Sequence, residues 1–141
     1  MILNENLSFA KGSGLKDVMK KRKLGSNGTV VSAIGIGAMS FSDFYGPTNT
    51  EKSHAILSKA LDLGIDHIDT ANVYGSGLSE KRIGSFLKDQ GAGKNGLFKI
   101  ATKAGIARAD DGYRYFDNSP EHLRSELDLS LIHISEPTRL Q

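Results

Sequence analysis

The chain has 141 residues, of which 38% are hydrophobic and 24% are charged, a composition typical of one globular domain. Its net charge of +2 provides no general attraction to nucleic acid or to an anionic membrane, and the lack of cysteine excludes disulfides and thiolate metal sites. No apolar run approaches the ~18 residues of a membrane-spanning helix, and the first residues lack the apolar run of a signal peptide. We therefore predict a cytoplasmic protein with no nucleic-acid or membrane partner, and we predict no metal site.

The chain begins with a segment that lacks any clear hydrophobic period. Residues 1–18 are interrupted by a KGSG run, and Met19 begins a segment that looks more like a true start than Met1 does. We predict that residues 1–18 form a disordered extension.

A hairpin and a strand are predicted next. Asn27-Gly28 lies between two short apolar runs, which indicates a β-hairpin over about residues 23–31. Residues 33–39 form an apolar run interrupted by glycine, which suits a buried strand.

The first helix is marked at both ends. Thr48 and Glu51 have the spacing of a capping box, and apolar residues follow at helical intervals. Gly64 stands where a helix C-cap belongs, and a second short strand is predicted at 65–69.

The second helix and the third strand repeat the pattern. Ser79 is placed to cap the helix, with Leu78 and Ile83 as a hydrophobic staple. The predicted inner face of this helix consists of three apolar residues, Ile83, Phe86 and Leu87. A loop and a third strand at 97–102 follow.

A polar loop at 105–118 is predicted to lead to the third helix, which begins at Ser119-Pro120 with a cap and a proline in the first helical position. Leu123 and Leu127 lie four residues apart behind this cap. Alternating strands and helices predict an α/β fold with a parallel sheet and right-handed crossovers. This alternation does not by itself distinguish a barrel from an open sheet.

A dinucleotide-binding fingerprint is excluded. Gly35-Ile36-Gly37 resembles its beginning, but Ser40 occupies the place of the third glycine, and the following FSDFYGPTNT segment is a loop rather than a helix N-terminus.

Three residues that can carry chemistry follow the predicted strands. Asp69 ends the second strand, Tyr74 lies in the loop directly after it, and Lys103 ends the third strand. Taken singly, such residues most often serve as a loop cap, a packing residue and a solvated strand end. Ligands of parallel α/β proteins bind at the carboxyl ends of the strands, so all three side chains are candidates for one crevice.

The three side chains suit acid catalysis. A phenol titrates near pH ~10 and is a poor acid at neutrality, but a nearby ammonium stabilises the phenolate. A carboxylate paired with the lysine keeps that lysine charged and oriented. Tyr74 would then protonate a carbonyl oxygen while a hydride reaches the carbon.

Three blocks of sequence resemble the aldo-keto reductase family over about residues 20–128. They are GIGAMSFSDFYGP (35–47), GIDHIDTANVYGSGLSEKRIG (64–84) and IATKAG (100–105), in the family's order and spacing. The resemblance implies a (β/α)8 barrel, of which this chain would hold the N-terminal hairpin and about three of eight βα units. It also implies reduction of aldehydes or ketones with NADPH.

The family's catalytic tetrad of Asp, Tyr, Lys and His is carried over in part. By motif, Asp69, Tyr74 and Lys103 match the first three members and would also contact NADP. The resemblance further places three residues of the first block near the nicotinamide, namely Gly37, Ala38 and Met39.

His133 is rejected as the fourth member of the tetrad. The helix that begins at Ser119 is expected to continue through about Leu127 to Leu131, and a strand of about five residues must follow before the strand end is reached. The family's histidine would therefore lie more than ten residues beyond position 133 by this count of elements.

The end of the chain resembles no aldo-keto reductase segment. Residues 129–139 resemble instead the conceptual translation of a transposase adaptor used in preparing sequencing libraries. We predict that the partial barrel covers 19–128, that 129–141 is a non-native tail, and that the 141-residue chain alone is inactive. Two alternatives remain open: a cofactor-binding regulatory subunit with the same barrel, as in accessory subunits of ion channels, and a non-functional truncated gene product.

Overall fold

Strands and helices alternate along the chain in the computed structural model, which describes residues 19–91 and 96–135. The strands are β1 (Lys21–Lys23), β2 (Val30–Ser32), β3 (Ile36–Gly37), β4 (His67–Asp69), β5 (Lys99–Ala101), β6 (Ile106–Arg108) and β7 (Arg114–Phe116). The helices are α1 (Thr50–Asp62), α2 (Leu78–Asp89) and α3 (Pro120–Ser135), and a short 3-10 helix covers Ala38–Ser42. The predicted extension 1–18 lies outside the described residues, as does the part of the predicted tail beyond residue 135.

The sheet that positions the site has three parallel strands in the order β3-β4-β5. Ile68 is the central residue, because it pairs with Ile36 on one side and with Ile100 on the other. Helix α1 connects β3 to β4 and helix α2 connects β4 to β5, so the predicted succession of βα units is confirmed.

The core lies between this sheet and helices α1 and α2. Its side chains come from every layer, and all are buried: Ala38, Phe41, Leu57, Ala60, Ile68, Ile83, Phe86 and Phe98. The predicted inner face of α2 is confirmed, since Ile83 and Phe86 are in the core and Leu87 packs against it.

The first parallel strand is shorter than predicted. A strand over 33–39 was expected, but β3 covers only Ile36–Gly37 and the chain then turns into the 3-10 helix. Ala38 and Phe41 are buried on this helical turn. The apolar run therefore reflects core packing from two kinds of backbone rather than one continuous strand.

The predicted N-terminal hairpin is confirmed, although its strands are displaced. Lys23 pairs with Val30, so six residues connect β1 to β2 rather than a two-residue turn. Only glycine fits at position 28, because a Cβ there would lie 1.7 Å from the carbonyl oxygen of Leu24, closer than any side chain allows.

Two predicted helix caps are wrong, and two are confirmed. Helix α1 is capped by Asn49, whose side chain accepts from the amide of Lys52, rather than by Thr48. Helix α2 follows Gly77 without a side-chain cap, and Ser79 lies inside it. The Ser119 hydroxyl does accept from the amide of His122 at the start of α3.

Gly64 follows the end of α1 with a left-handed φ of 74°, as a C-cap glycine should. Its amide donates to the carbonyl of Leu61 over 3.0 Å, which closes the helix before β4.

The segment 105–118, predicted as a polar loop, contains an antiparallel hairpin of β6 and β7. An Asp-Asp-Gly turn joins the strands: the amide of Tyr113 donates to the Asp111 carboxylate, and Gly112 has a φ of 87°. Aromatic residues in β7 favour a strand, but the polar turn obscures the alternation when the segment is read as a whole.

Asp66 ties the N-terminal hairpin to the sheet. Its carboxylate accepts from Lys21 at 2.9 Å, from Lys99 at 3.0 Å and from the amide of Ser32 at 2.7 Å. Partial burial alone would raise the pKa of Asp66, but these three donors outweigh it and hold that pKa well below its usual value.

In the full-length protein, Asp66→Asn should lower the free energy of unfolding at neutral pH. Because the side chains of Lys21 and Lys99 are 43% and 40% exposed, solvent weakens both contacts, and the expected loss is about 1 kcal/mol. A depressed carboxyl pKa stabilises above the unfolded value of ~3.9 and stops doing so as the pH falls through the folded value. The difference from wild type in denaturant unfolding should therefore shrink below pH ~4. Asp62→Asn, at an exposed carboxylate ending α1, is the control; an equal loss there would contradict this role of Asp66.

No helix within residues 19–91 and 96–135 has the length and apolar character needed to cross a membrane.

Candidate active site

Three predicted site residues meet at the carboxyl end of the parallel sheet. The ammonium of Lys103 donates to the carboxylate of Asp69 over 2.5 Å and to the carbonyl of Thr70 over 2.8 Å. The same nitrogen lies 5.1 Å from the centroid of the Tyr74 ring. The structure thus brings Asp69, Tyr74 and Lys103 together as a lysine held between a carboxylate and a phenol.

The lysine is held in its charged form. Partial burial acts to lower the pKa of Lys103, but the hydrogen bond to Asp69 and the neighbouring Tyr74 outweigh it and raise that pKa above its ordinary value. The side chains of Lys103 and Asp69 are 48% and 52% exposed, so the pair remains open to a ligand.

The loop after β4 has a tight conformation that presents Tyr74. Gly75, Ser76 and Gly77 all have positive φ, and the amide of Gly77 donates to the carbonyl of Asn72 over 2.7 Å. A Cβ at Gly75 would lie 2.8 Å from the Cβ of Ser42, so the loop can approach the 3-10 helix only with glycine here. The glycine that follows Tyr74 therefore sets the position of the tyrosine.

Buried hydroxyl groups connect the strand ends beneath the site. The Ser79 hydroxyl donates to the carbonyl of Ala38 over 2.8 Å and is 2.9 Å from the Thr70 hydroxyl. Since the single Ser79 proton is used on Ala38, Thr70 is the donor in the second bond. Ser79, read from the sequence as a helix cap, instead links helix α2 to the ends of β3 and β4.

Glu80 supports the segment after β5 that carries Lys103, and the sequence analysis did not identify Glu80. It is fully buried, and its carboxylate accepts from the hydroxyl of Thr102, the neighbour of Lys103, over 2.7 Å. Its other oxygen lies 2.9 Å from Nδ1 of His133. The signal was available, because Glu80 lies three residues before Ile83 on the apolar face of α2.

Asn72 is a second residue that the sequence did not single out. Its side-chain amide donates to the carboxylate of Glu126 in α3, which anchors the Tyr74 loop to that helix. No local pattern marks this contact, because the two residues are 54 positions apart.

The predicted cofactor residues Gly37, Ala38 and Met39 lie at the same edge of the sheet. Gly37 pairs with Asp69, and apart from its chain neighbours no atom of the described residues lies within 4 Å of the place where its Cβ would be. The Ala38 side chain is fully buried, and Met39 is half-buried with its sulfur 3.6 Å from the hydroxyl of Tyr45. Among the described residues, the Lys103 ammonium forms hydrogen bonds with Asp69 and Thr70 and not with Met39.

His133 lies on helix α3 rather than at a strand end. It is buried against α2, and a Cβ at Gly77 would lie 2.6 Å from its ring. Within residues 19–91 and 96–135, no group of three or more potential metal ligands is close enough to bind an ion.

Asp69, Tyr74 and Lys103 together are called the catalytic cluster below, as the candidate catalytic residues. A cavity of about 420 Å³ opens beside this cluster. Its walls come from the loop after β4, the segment after β5 and the β6–β7 hairpin: Ala71, Asn72, Val73, Tyr74, Lys103, Ala104, Gly105, Ile106, Phe116 and Asn118. This volume suits a small organic ligand. The Lys103 ammonium and the Tyr74 phenol line this cavity, and Asp69 reaches it through its hydrogen bond with Lys103.

The sequence of this chain is similar to those of known proteins. Residues 33–135 match the Aldo/keto reductase family. Two curated relatives are aldo-keto reductase yakc of Schizosaccharomyces pombe, whose name includes NADP(+), and L-galactose dehydrogenase of Arabidopsis thaliana. The first is 38% identical over 111 residues and the second 38% identical over 110 residues, and each match covers 78% of this chain.

A solved structure agrees with the sequence comparison. The holo form of an aldo-keto reductase from Bacillus halodurans superposes with a TM-score of 0.68 and 33% identity, covering 82% of this chain and 36% of that protein. The curated matches cover 32% and 33% of the relatives' lengths, so the chain spans about a third of each.

Proposed function

Because this chain belongs to the aldo-keto reductase family and holds the N-terminal part of its (β/α)8 barrel, we propose that the full-length protein reduces aldehydes or ketones to alcohols with NADPH. The observation that carries this proposal is the contact of one charged lysine with both Asp69 and Tyr74 at the wall of a ligand-sized cavity.

In the proposed mechanism, Tyr74 is the general acid. Its hydroxyl donates a proton to the carbonyl oxygen, and the negative charge left on the phenolate is stabilised by the ammonium of Lys103. Asp69 orients Lys103 through the 2.5 Å hydrogen bond and helps keep it charged. NADPH, when bound, supplies the hydride that reaches the carbonyl carbon.

The residues at the strand ends fit such a cofactor. The open space around Gly37 lies beside Asp69, which leaves room for a flat ring next to the catalytic cluster. In the proposal, the backbone from Gly37 to Met39 borders the nicotinamide, and Asp69, Tyr74 and Lys103 contact its reactive side. Ala38 contributes through its backbone, because its side chain is buried.

We further propose that the 141-residue chain alone does not perform this reaction, since it spans about a third of its curated relatives. Tyr74, Asp69 and Lys103 hold the acid, but reduction also requires a hydride donor fixed in the correct orientation. The cytoplasmic location stays a prediction from the sequence.

The test is consumption of NADPH by the purified full-length protein in the presence of small aldehydes. We expect aldehyde-dependent oxidation of NADPH and formation of the matching alcohol. Tight binding of NADPH without turnover of any carbonyl compound would contradict the proposal and favour the alternative of a cofactor-binding regulatory subunit.

A further inference from the structure

One wall of the cavity beside Tyr74 belongs to neither the parallel sheet nor its helices. It is formed by the β6–β7 hairpin, which contributes Ile106 and Phe116. These two residues are directly opposite partners in the antiparallel pairing, so their side chains lie on the same face of the hairpin. That face is the one that borders the catalytic cluster.

The hairpin is tied closely to the catalytic lysine. Its first strand begins three residues after Lys103, and the amide of Asp117 donates to the carbonyl of Gly105 over 3.0 Å at its base. The side chain of Asn118 packs against Gly105, where an added Cβ would lie 2.5 Å from its oxygen. The distance from Ile106 and Phe116 to the reacting group is therefore set by the backbone.

The hairpin contributes an apolar face to the cavity. Lys103 and Tyr74 take part in the proposed chemistry, and the side-chain N–H of Asn72 donates to the carboxylate of Glu126. The polar side chains that remain at the cavity are Asn118 and the carbonyl oxygen of Asn72, which accepts no hydrogen bond among the described residues, and both residues lie outside the hairpin strands. The large apolar side chains are Val73, Ile106 and Phe116. Phe116 is 82% exposed, so the other described residues leave most of its ring uncovered.

Resting on the reductase function proposed above, we propose that Phe116 and Ile106 select the substrate and favour carbonyl compounds with an apolar alkyl or aryl substituent. The carbonyl oxygen would face Tyr74, while the substituent would pack against the hairpin. A polyhydroxylated substituent packed against the hairpin would lose water without finding hydrogen-bond partners on the side chains of Ile106 and Phe116.

The experiment compares kcat/KM for benzaldehyde and glyceraldehyde in the full-length protein with NADPH. We expect wild type to prefer benzaldehyde. Phe116→Ala should reduce kcat/KM for benzaldehyde about tenfold and that for glyceraldehyde less than about twofold, because one lost apolar contact is worth about 10- to 200-fold. Phe116→Leu should restore most of the benzaldehyde activity, since it keeps an apolar wall.

Tyr113→Ala is the matched control, because Tyr113 is 68% exposed in the same hairpin and does not line the cavity. It should leave the ratio of the two kcat/KM values unchanged. Equal losses on both aldehydes with Phe116→Ala, no loss on either, or the same loss in Tyr113→Ala would overturn the selective role of the hairpin while leaving the reductase function intact. If wild type failed to oxidise NADPH with either aldehyde, the reductase function would be overturned, and this inference with it.

Discussion

Tyr74→Phe in the full-length protein should abolish nearly all carbonyl reduction while leaving NADPH binding largely intact. The substitution removes only the phenol hydroxyl, which is the proposed proton donor, and keeps the ring that lies 5.1 Å from the Lys103 ammonium. General acid catalysis typically contributes about 10²- to 10⁴-fold, so kcat/KM should fall by that amount. Steady-state reduction of an aldehyde and titration of cofactor fluorescence measure the two effects separately.

Tyr113→Phe is the control for this substitution. Tyr113 is an exposed tyrosine of the β6–β7 hairpin with no contact to the catalytic cluster among the described residues, so loss of its hydroxyl should not change the rate. If Tyr74→Phe kept its activity within about threefold of wild type, another group would have to be the acid.

The catalytic cluster is the part of the site that the sequence predicts best. Asp69 and Tyr74 lie on one short stretch, and Lys103 ends the next parallel strand, so strand pairing alone places all three at one edge. The structure confirms their proximity. Their roles in catalysis stay predictions, because proximity does not show which group transfers a proton.

The residues that support the cluster were harder to predict. Ser79 has the composition and position of a helix cap, yet its hydroxyl binds the carbonyl of Ala38, 41 positions away. A local pattern cannot reveal a partner so distant in sequence. The Asn72–Glu126 hydrogen bond is hidden for the same reason.

The fold shows the same division between local and long-range information. The order of elements follows from hydrophobic period and turn residues, and it was predicted correctly from β1 to β5, as was the start of α3. The hairpin of β6 and β7 was missed because each strand has only three residues, too few to show alternation. The hairpin nevertheless forms the cavity wall that we assign to substrate selection.

Lys103→Met should lower the rate of carbonyl reduction by about 10²-fold and also change its pH dependence. Reduction needs the protonated acid, so activity falls as the pH rises through the titration of that acid. In the proposed mechanism the Lys103 ammonium stabilises the phenolate. The pKa of Lys103 itself is raised, because the hydrogen bond to Asp69 and the neighbouring Tyr74 outweigh the effect of burial. The lysine is therefore charged throughout the working range. Without this cation the phenolate is less stable, and the basic limb of the pH–rate profile should move to higher pH.

The shift of this limb distinguishes an electrostatic role of Lys103 from a structural one. Lys103 also donates to the carbonyl of Thr70, so its loss will disturb the loop after β4 to some extent. Such a disturbance would lower the rate at every pH but would not move the limb. Lys81→Met, at an exposed lysine of α2, should change neither the rate nor the profile. An unshifted profile in Lys103→Met would mean that the lysine positions the loop and is not electrostatically coupled to the acid.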